Sequence, residues 1–152
     1  MNKIIYSIGT STRKKEYFLK LLKESRIEAV VDVRRFPTSR LNCFLKENLS
    51  SFLEENRIKY FHVGELLGGF RFKGYKTYIK SEEFLKGVNE LEEVALNFAT
   101  VFMCAERLPF RCHRRFIALK LEERGWRVIH ILDEGKSWER KKKRWKLSNR
   151  LT

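Results

Sequence analysis

The residues best suited to chemistry crowd into one stretch, Val101 to Arg115. A short apolar run stops at Cys104, a polar loop carries Glu106 and Arg107, and the pattern predicts a helix opening near Pro109. Its first turns would hold Arg111, His113, Arg114 and Arg115. Cations are unfavourable at a helix N-terminus, which already carries partial positive charge. A bound anion reverses that penalty, so the stretch is a candidate anion site. Cys104, at a strand end near Arg107 and Arg111, has surroundings that stabilise a thiolate. It is a candidate nucleophile, with Asp32, Glu106 and His113 as candidate acid–base groups. The competing reading is an inert Cys104, since free cysteine is among the most buried residue types.

The elements that must position these residues alternate. Ile4 to Ile8 reads as a strand ending at Gly9, with Ser11 or Thr12 as N-cap of a helix carrying Tyr17, Phe18, Leu21 and Leu22. Ala29 to Val33 is a second strand, stopped at Pro37. A helix follows over about Lys46 to Asn56, then a third strand over Lys59 to Val63. Ser81 caps a further helix whose apolar stripe is Phe84, Val88, Leu91, Ala95 and Phe98. Thr100 to Cys104, a helix over Phe110 to Arg124 and a strand over Arg127 to Leu132 complete the series. Nearly continuous apolar strands between helices predict a three-layer, Rossmann-like α/β fold with about five mainly parallel strands. Residues 1–132 read as one domain. Residues 133–152 read as a basic extension, helical and packed on that domain, with Trp138 and Trp145 on one face.

In such a sheet, ligands bind beyond the carboxyl ends of the strands. The first strand delivers Gly9, Thr10 and Ser11 to that edge. The second delivers Asp32, Arg34, Arg35 and, further on, Arg40, and the third delivers His62 and Glu65. The expected cradle is backbone from Gly9 to Ser11, with Arg34, Arg35, Arg107, Arg111 and Arg114 on a phosphate. Structural pairing of these arginines with Asp32, Glu65 and Glu106 is the alternative, and it would leave no pocket. Between Gly64 and Lys80, Phe70, Arg71, Phe72, Lys73, Tyr75, Lys76, Tyr78 and Lys80 interleave rings with cations. Such a segment either stacks on bases or folds back as a lid, and Tyr75 and Tyr78 are candidate ligand contacts.

Composition narrows the partners. The 152 residues carry 33 Lys or Arg against 19 Asp or Glu, a net charge of +14, which favours a phosphate-bearing small molecule or nucleic acid. Gln is absent while Lys, Arg and Glu abound, a usage that resembles hyperthermophile proteins. No apolar run is long enough for a membrane span and the start does not read as a secretory signal, so a cytoplasmic protein is expected. No cofactor is expected. Cys104, Glu106, Cys112 and His113 lack standard zinc spacing, and Cys104–Cys112 is a conceivable disulfide.

The chain resembles the domain-of-unknown-function 488 family. The segments that carry the resemblance are Tyr6 to Ser11, Val31 to Pro37, Leu67-Gly68-Gly69, Gly74-Tyr75 with Tyr78, and Met103 to Glu106 through Cys112-His113-Arg114. One departure is Thr10, where members commonly carry His. The resemblance implies a compact α/β domain and no particular activity. Val31 to Arg34 is also similar to a rhodanese strand motif. In the cysteine-phosphatase pattern, however, the arginine stands one residue closer to the cysteine than Arg111 does to Cys104. Three functions therefore stand as expectations: binding of a phosphate-bearing ligand, a cysteine-dependent enzyme of sulfur or phosphoryl transfer, and a basic nucleic-acid module without chemistry.

Overall fold

The computed structural model describes residues 3–39 and 41–141. Strand β1 (Ile4–Gly9) leads to helix α1 (Lys15–Glu24), and β2 (Ala29–Asp32) to a 3-10 turn at Asn42–Phe44 and α2 (Lys46–Glu55). After β3 (Lys59–His62) come the one-turn helices α3 (Gly64–Leu67) and α4 (Tyr75–Tyr78), then α5 (Glu82–Asn97). Next are β4 (Thr100–Cys104), a 3-10 turn at Pro109–Arg111, α6 (Arg114–Glu123), β5 (Arg127–Asp133) and β6 (Lys136–Trp138). The six strands form one sheet in the order β3-β2-β4-β1-β5-β6. All pairings are parallel except β5 with β6.

The fold is the expected layered α/β architecture. Strands β2 and β4 are buried along their whole length, as a sheet covered on both faces requires. On one face Phe18, Leu21 and Leu22 of α1 and Leu49 and Leu53 of α2 pack on Ile8, Val30, Val101 and Met103. On the other, Phe84, Val88 and Leu91 of α5 and Ile117 and Leu121 of α6 pack on Ile5, Val31 and Phe102. Each such fully buried side chain contributes about 1.5–3 kcal/mol of transfer free energy. Ser81 caps α5 as expected, its hydroxyl accepting from the Phe84 N–H at 3.2 Å.

Three expectations are corrected. Helix α6 starts at Arg114 and not near Pro109, because Pro109–Arg111 closes a separate 3-10 turn that leaves Arg111 outside the helix. Helix α1 starts at Lys15 with Lys14 at its N-cap. Ser11 instead sits in a left-handed turn at φ 47°, its N–H bonded to the Ala105 carbonyl. Within the extension expected to be helical, the described residues 133–141 form no helix. Gly135, at φ 67°, reverses the chain at once, and Lys136–Trp138 pairs with the open edge of β5 as a sixth strand. Trp138 then lies 5.4 Å from the His130 ring. Arg40, Trp145 and the rest of residues 142–152 lie outside the described residues.

The strand order determines where a cleft can form. The chain leaves β2 toward β3, at one edge of the sheet, and leaves β4 toward β5, in the opposite direction. Their following loops diverge, so a crevice opens beyond the carboxyl ends of these two neighbouring strands.

One buried group makes stability pH-dependent. His130 Nδ1 accepts from the Ser7 hydroxyl, whose oxygen in turn accepts from Arg114 Nη1 at 3.0 Å. Burial first, and then the Arg114 charge, push His130 down to about 4. An unfolded histidine titrates near 6.5, so between the two values only the unfolded chain binds the proton and stability rises with pH. Acidifying from about pH 7 to about pH 4 is expected to cost about 3 kcal/mol at this residue. The urea midpoint measured across that range reports the loss, and His130→Gln flattens it.

Candidate functional site

The crevice between β2 and β4 is a cleft of about 620 Å³. Arg34, Arg35, Phe36 and Thr38 form the wall that follows β2. Cys104, Ala105 and Glu106 form the wall that follows β4, joined by Arg111, Cys112 and His113 from the approach to α6. Gly69, Phe70 and Tyr75 close it from the glycine-rich loop.

Two free thiols meet at the floor. Cys104 is the last residue of β4 and Cys112 immediately precedes the turn into α6, and their Sγ atoms are 2.9 Å apart. Cys104 is buried, whereas Cys112 is partly exposed. Cys112 Sγ accepts the backbone N–H of Arg114 at 3.3 Å, at the positive end of α6. It also lies 3.5 Å from His113 Nδ1. His113 Nε2 stands 3.3 Å from the Val33 carbonyl, which only accepts, so that nitrogen carries hydrogen. The S–H of Cys104, then His113 and the Arg114 charge, hold the Cys112 thiol well below the usual thiol range despite its burial. Burial, and next the hydrogen bond to Cys112, push the Cys104 thiol well up even with Arg114 beside it. These surroundings favour the negative charge on Cys112 and the proton on Cys104. The sequence reading had taken Cys104, the other sulfur of this pair, as the candidate nucleophile.

Arg114 gives that charge a second warrant. Its side chain is 0% exposed. Its nitrogens donate to Cys104 Sγ at 2.9 Å, to the Ser7 hydroxyl, and to the carbonyls of Glu106 and Arg107. Among the described residues it makes no ion pair with a carboxylate. A buried cation needs a compensating anion, and the sulfur pair supplies it. The expected role of Arg114 as a solvent-facing phosphate ligand is thereby corrected: it is a buried strut beneath the sulfurs.

Other expected ligand residues are also committed elsewhere. Arg34 grips Asp32 with two bonds, Nε to Oδ1 at 2.9 Å and Nη2 to Oδ2 at 2.8 Å, and gives Nη1 to the Phe44 carbonyl. Asp32 is fully buried and also accepts from the Tyr60 hydroxyl, so it faces no substrate. Burial and the Asp32 charge push the Tyr60 hydroxyl far up. Arg107 swings away to Asp133 at 2.6 Å, beside Arg13 and Tyr17. The cradle expected of Gly9 to Ser11 is not free, since Thr10 and Ser11 give their N–H groups to the carbonyls of Cys104 and Ala105. Gly9 serves instead as a crossing point: a Cβ there would lie 1.9 Å from the Glu106 carbonyl oxygen. Glu106 uses its carboxylate on the Leu108 N–H at 3.3 Å.

Two cations remain at the rim. The Arg111 side chain is exposed and makes no hydrogen bond or ion pair among the described residues. Arg35 touches only the Phe70 carbonyl, at 2.6 Å, and lies over the Phe36 ring. Phe36 and Phe70 face each other at 6.0 Å and are 59% and 83% exposed, an unusual display for rings that line a cleft. The glycine-rich loop divides its aromatics. Tyr75 folds in, bonding the Leu67 carbonyl at 2.7 Å and lying 5.3 Å from His113. Tyr78 bonds the Leu66 carbonyl at 2.6 Å under the Arg71 guanidinium, outside the cleft. Phe70 and Phe72 point out. Among the described residues no group of three or more His, Cys, Asp or Glu gathers as a metal site. Nor is any helix among them long and apolar enough to cross a membrane.

The sequence reading had Cys112 only as a conceivable zinc ligand or disulfide partner and did not single out Phe36, whereas Phe70 belonged to the segment read as stacking on bases or folding back as a lid. Cys112 was signalled by its place next to His113 before a helix. Phe36 had no signal beyond the short segment it shares with Arg35. The sequence profile described as Domain of unknown function DUF488 matches residues 14–121, more than half of the chain. No curated protein and no solved structure matches the chain.

Breaking the Asp32–Arg34 pair should expose how the β2 wall is held. Arg34→Met leaves a buried carboxylate unpaired and is expected to destabilise the fold by about 3–5 kcal/mol in urea titration. Arg111→Ala, at the open rim, is expected to change stability by less than about 0.5 kcal/mol.

Proposed function

This chain belongs to the DUF488 family, and we propose that its cleft is the active site of a cysteine-dependent enzyme of sulfur chemistry acting on an anionic substrate. The observation that carries the reading is Cys112: its Sγ accepts the Arg114 N–H at the positive end of α6, stands 2.9 Å from a second thiol and lines the cleft. A thiolate, not a thiol, is the attacking form, and helix N-termini and neighbouring cations favour it. Arg35 and Arg111 supply charge for an anionic group, and Phe36 and Phe70 supply apolar surface for the substrate body. His113 is placed to stabilise the thiolate before attack and to protonate a leaving sulfur afterwards.

Sulfur chemistry fits better than phosphoryl transfer. A phosphoryl group moving to cysteine needs a guanidinium closing on its oxygens. Arg114, the arginine nearest the sulfurs, has its nitrogens committed to Cys104, Ser7 and backbone carbonyls. A second reading, noncovalent binding of a nucleotide or nucleic acid, is favoured by the exposed Phe70 and Phe72 beside Arg71 and Lys73. A pair of thiols in contact suits the reducing cytoplasm, the compartment we propose for this protein.

Alkylation separates these readings. At about pH 6 an unperturbed thiol is almost wholly protonated. Iodoacetamide is therefore expected to modify Cys112 at least about 100-fold faster than Cys104 under those conditions, as mapped by peptide mass. Iodoacetate, the anionic reagent, should gain on iodoacetamide relative to a free thiol, and lose that gain in Arg35→Ala/Arg111→Ala. A Cys112 no more reactive than free cysteine at that pH would remove the enzyme reading and leave the binding one.

A further inference from the structure

We infer that Cys104 is the resolving partner of Cys112, and that the cleft carries out thiol–disulfide exchange on disulfides bearing negative charge. The inference rests on the reading of Cys112 as nucleophile and goes beyond it by assigning the second sulfur a role and the substrate a class.

Geometry fixes the order of events. Cys104 is 2% exposed at the end of a central strand, so an incoming disulfide meets Cys112 and not Cys104. The two sulfurs stand 2.9 Å apart, and a disulfide bond of about 2.05 Å needs them to close by about 0.9 Å, well within side-chain rotation. Arg114 Nε lies 2.9 Å from Cys104 Sγ, a donor already in place for the anion that Cys104 must become.

The chemistry balances without another reactant. The Cys112 thiolate attacks one sulfur of R–S–S–R; that bond breaks, and R–S⁻ leaves with the electron pair. Cys112 is now a neutral mixed disulfide. Its charge and its hydrogen bond, which kept the proton on Cys104, are gone, while the Arg114 cation remains. Cys104 therefore gives up its proton, which passes to the departing thiolate, directly or through His113. The Cys104 sulfur then attacks Cys112 Sγ, the mixed disulfide breaks, and the second R–S⁻ leaves. Two protein sulfurs have been oxidised by two electrons, and one disulfide has been reduced to a thiol and a thiolate. Return to the dithiol takes the reverse exchange with an external thiol.

The remaining features select the disulfide. The cleft offers guanidinium charge from Arg35 and Arg111 and no free carboxylate close to the sulfurs, since Glu106 is turned to the Leu108 N–H. A carboxylate-bearing disulfide matches this charge and a cationic one opposes it.

The test uses 5,5′-dithiobis(2-nitrobenzoate), an aromatic dicarboxylate disulfide, on the full chain carrying Cys43→Ala so that only the pair is read. The expected result is two thionitrobenzoates released per chain, with a product two hydrogens lighter and no adduct. Cys104→Ser is expected to release one and to retain the other as a mixed disulfide on Cys112. A mixed disulfide that persists with Cys104 present would overturn the resolving role while leaving Cys112 as nucleophile; the mass of the chain with both cysteines decides this without the serine variant. Failure to react, or equal reaction by Cys112→Ser, would overturn both readings. The charge preference is read from dithiodiglycolate against cystamine, each normalised to its rate with free cysteine. A preference for the anion of about tenfold or more is expected from two nearby guanidinium groups, and equal rates would overturn the substrate class.

Discussion

The site depends on one buried cation. Arg114 lies beneath the sulfur pair and holds three pieces of chain: Cys104 on β4, Ser7 on β1, and the carbonyls of Glu106 and Arg107 in the loop after β4. Burying a guanidinium is costly unless its hydrogen bonds and its charge are both answered. The carbonyls and the hydroxyl answer the first need and the sulfurs the second. The same bonds bring the loop after β4 down over the end of β1, which only Gly9 permits. A side chain expected on a ligand thus shapes the cleft.

The rest of the positive charge around the cleft is sorted by the same rule. Wherever an acidic group lies within reach, the arginine turns to it: Arg34 to Asp32, Arg107 and Arg13 to Asp133. Arg34 and Asp32 lie in the interior, and their pairing specifies the backbone of the β2 wall more than it adds net stability. Among the described residues, the cleft-lining arginines left without an ion pair are Arg35 and Arg111. The large net charge of the chain therefore overstates the field inside the site.

Reactivity follows from asymmetry between two identical groups. Cys104 and Cys112 share one hydrogen bond, yet one ends a fully buried strand and the other sits at a helix N-terminus beside a histidine. Low dielectric holds the proton on the first, while dipole, N–H donor and imidazole hold the charge on the second. Coupling between them means that any change of covalent state at Cys112 alters Cys104, which suits chemistry in two steps.

The sequence by itself determined the layers, because apolar runs at strand length between stripes of helical period can bury their surface in few ways. It also determined which loops reach the working edge, because a parallel sheet puts all its carboxyl ends on one side. It did not determine which of the clustered arginines face solvent, since type and spacing carry no record of a partner 26 or 120 residues away, as Asp133 is from Arg107 and from Arg13. The strand order, which opens the crevice between β2 and β4, came only from tertiary pairing. So did the assignment of charge between two cysteines eight residues apart, because a thiol's proton is held or lost according to burial and neighbouring dipoles, and those exist only once the chain has folded.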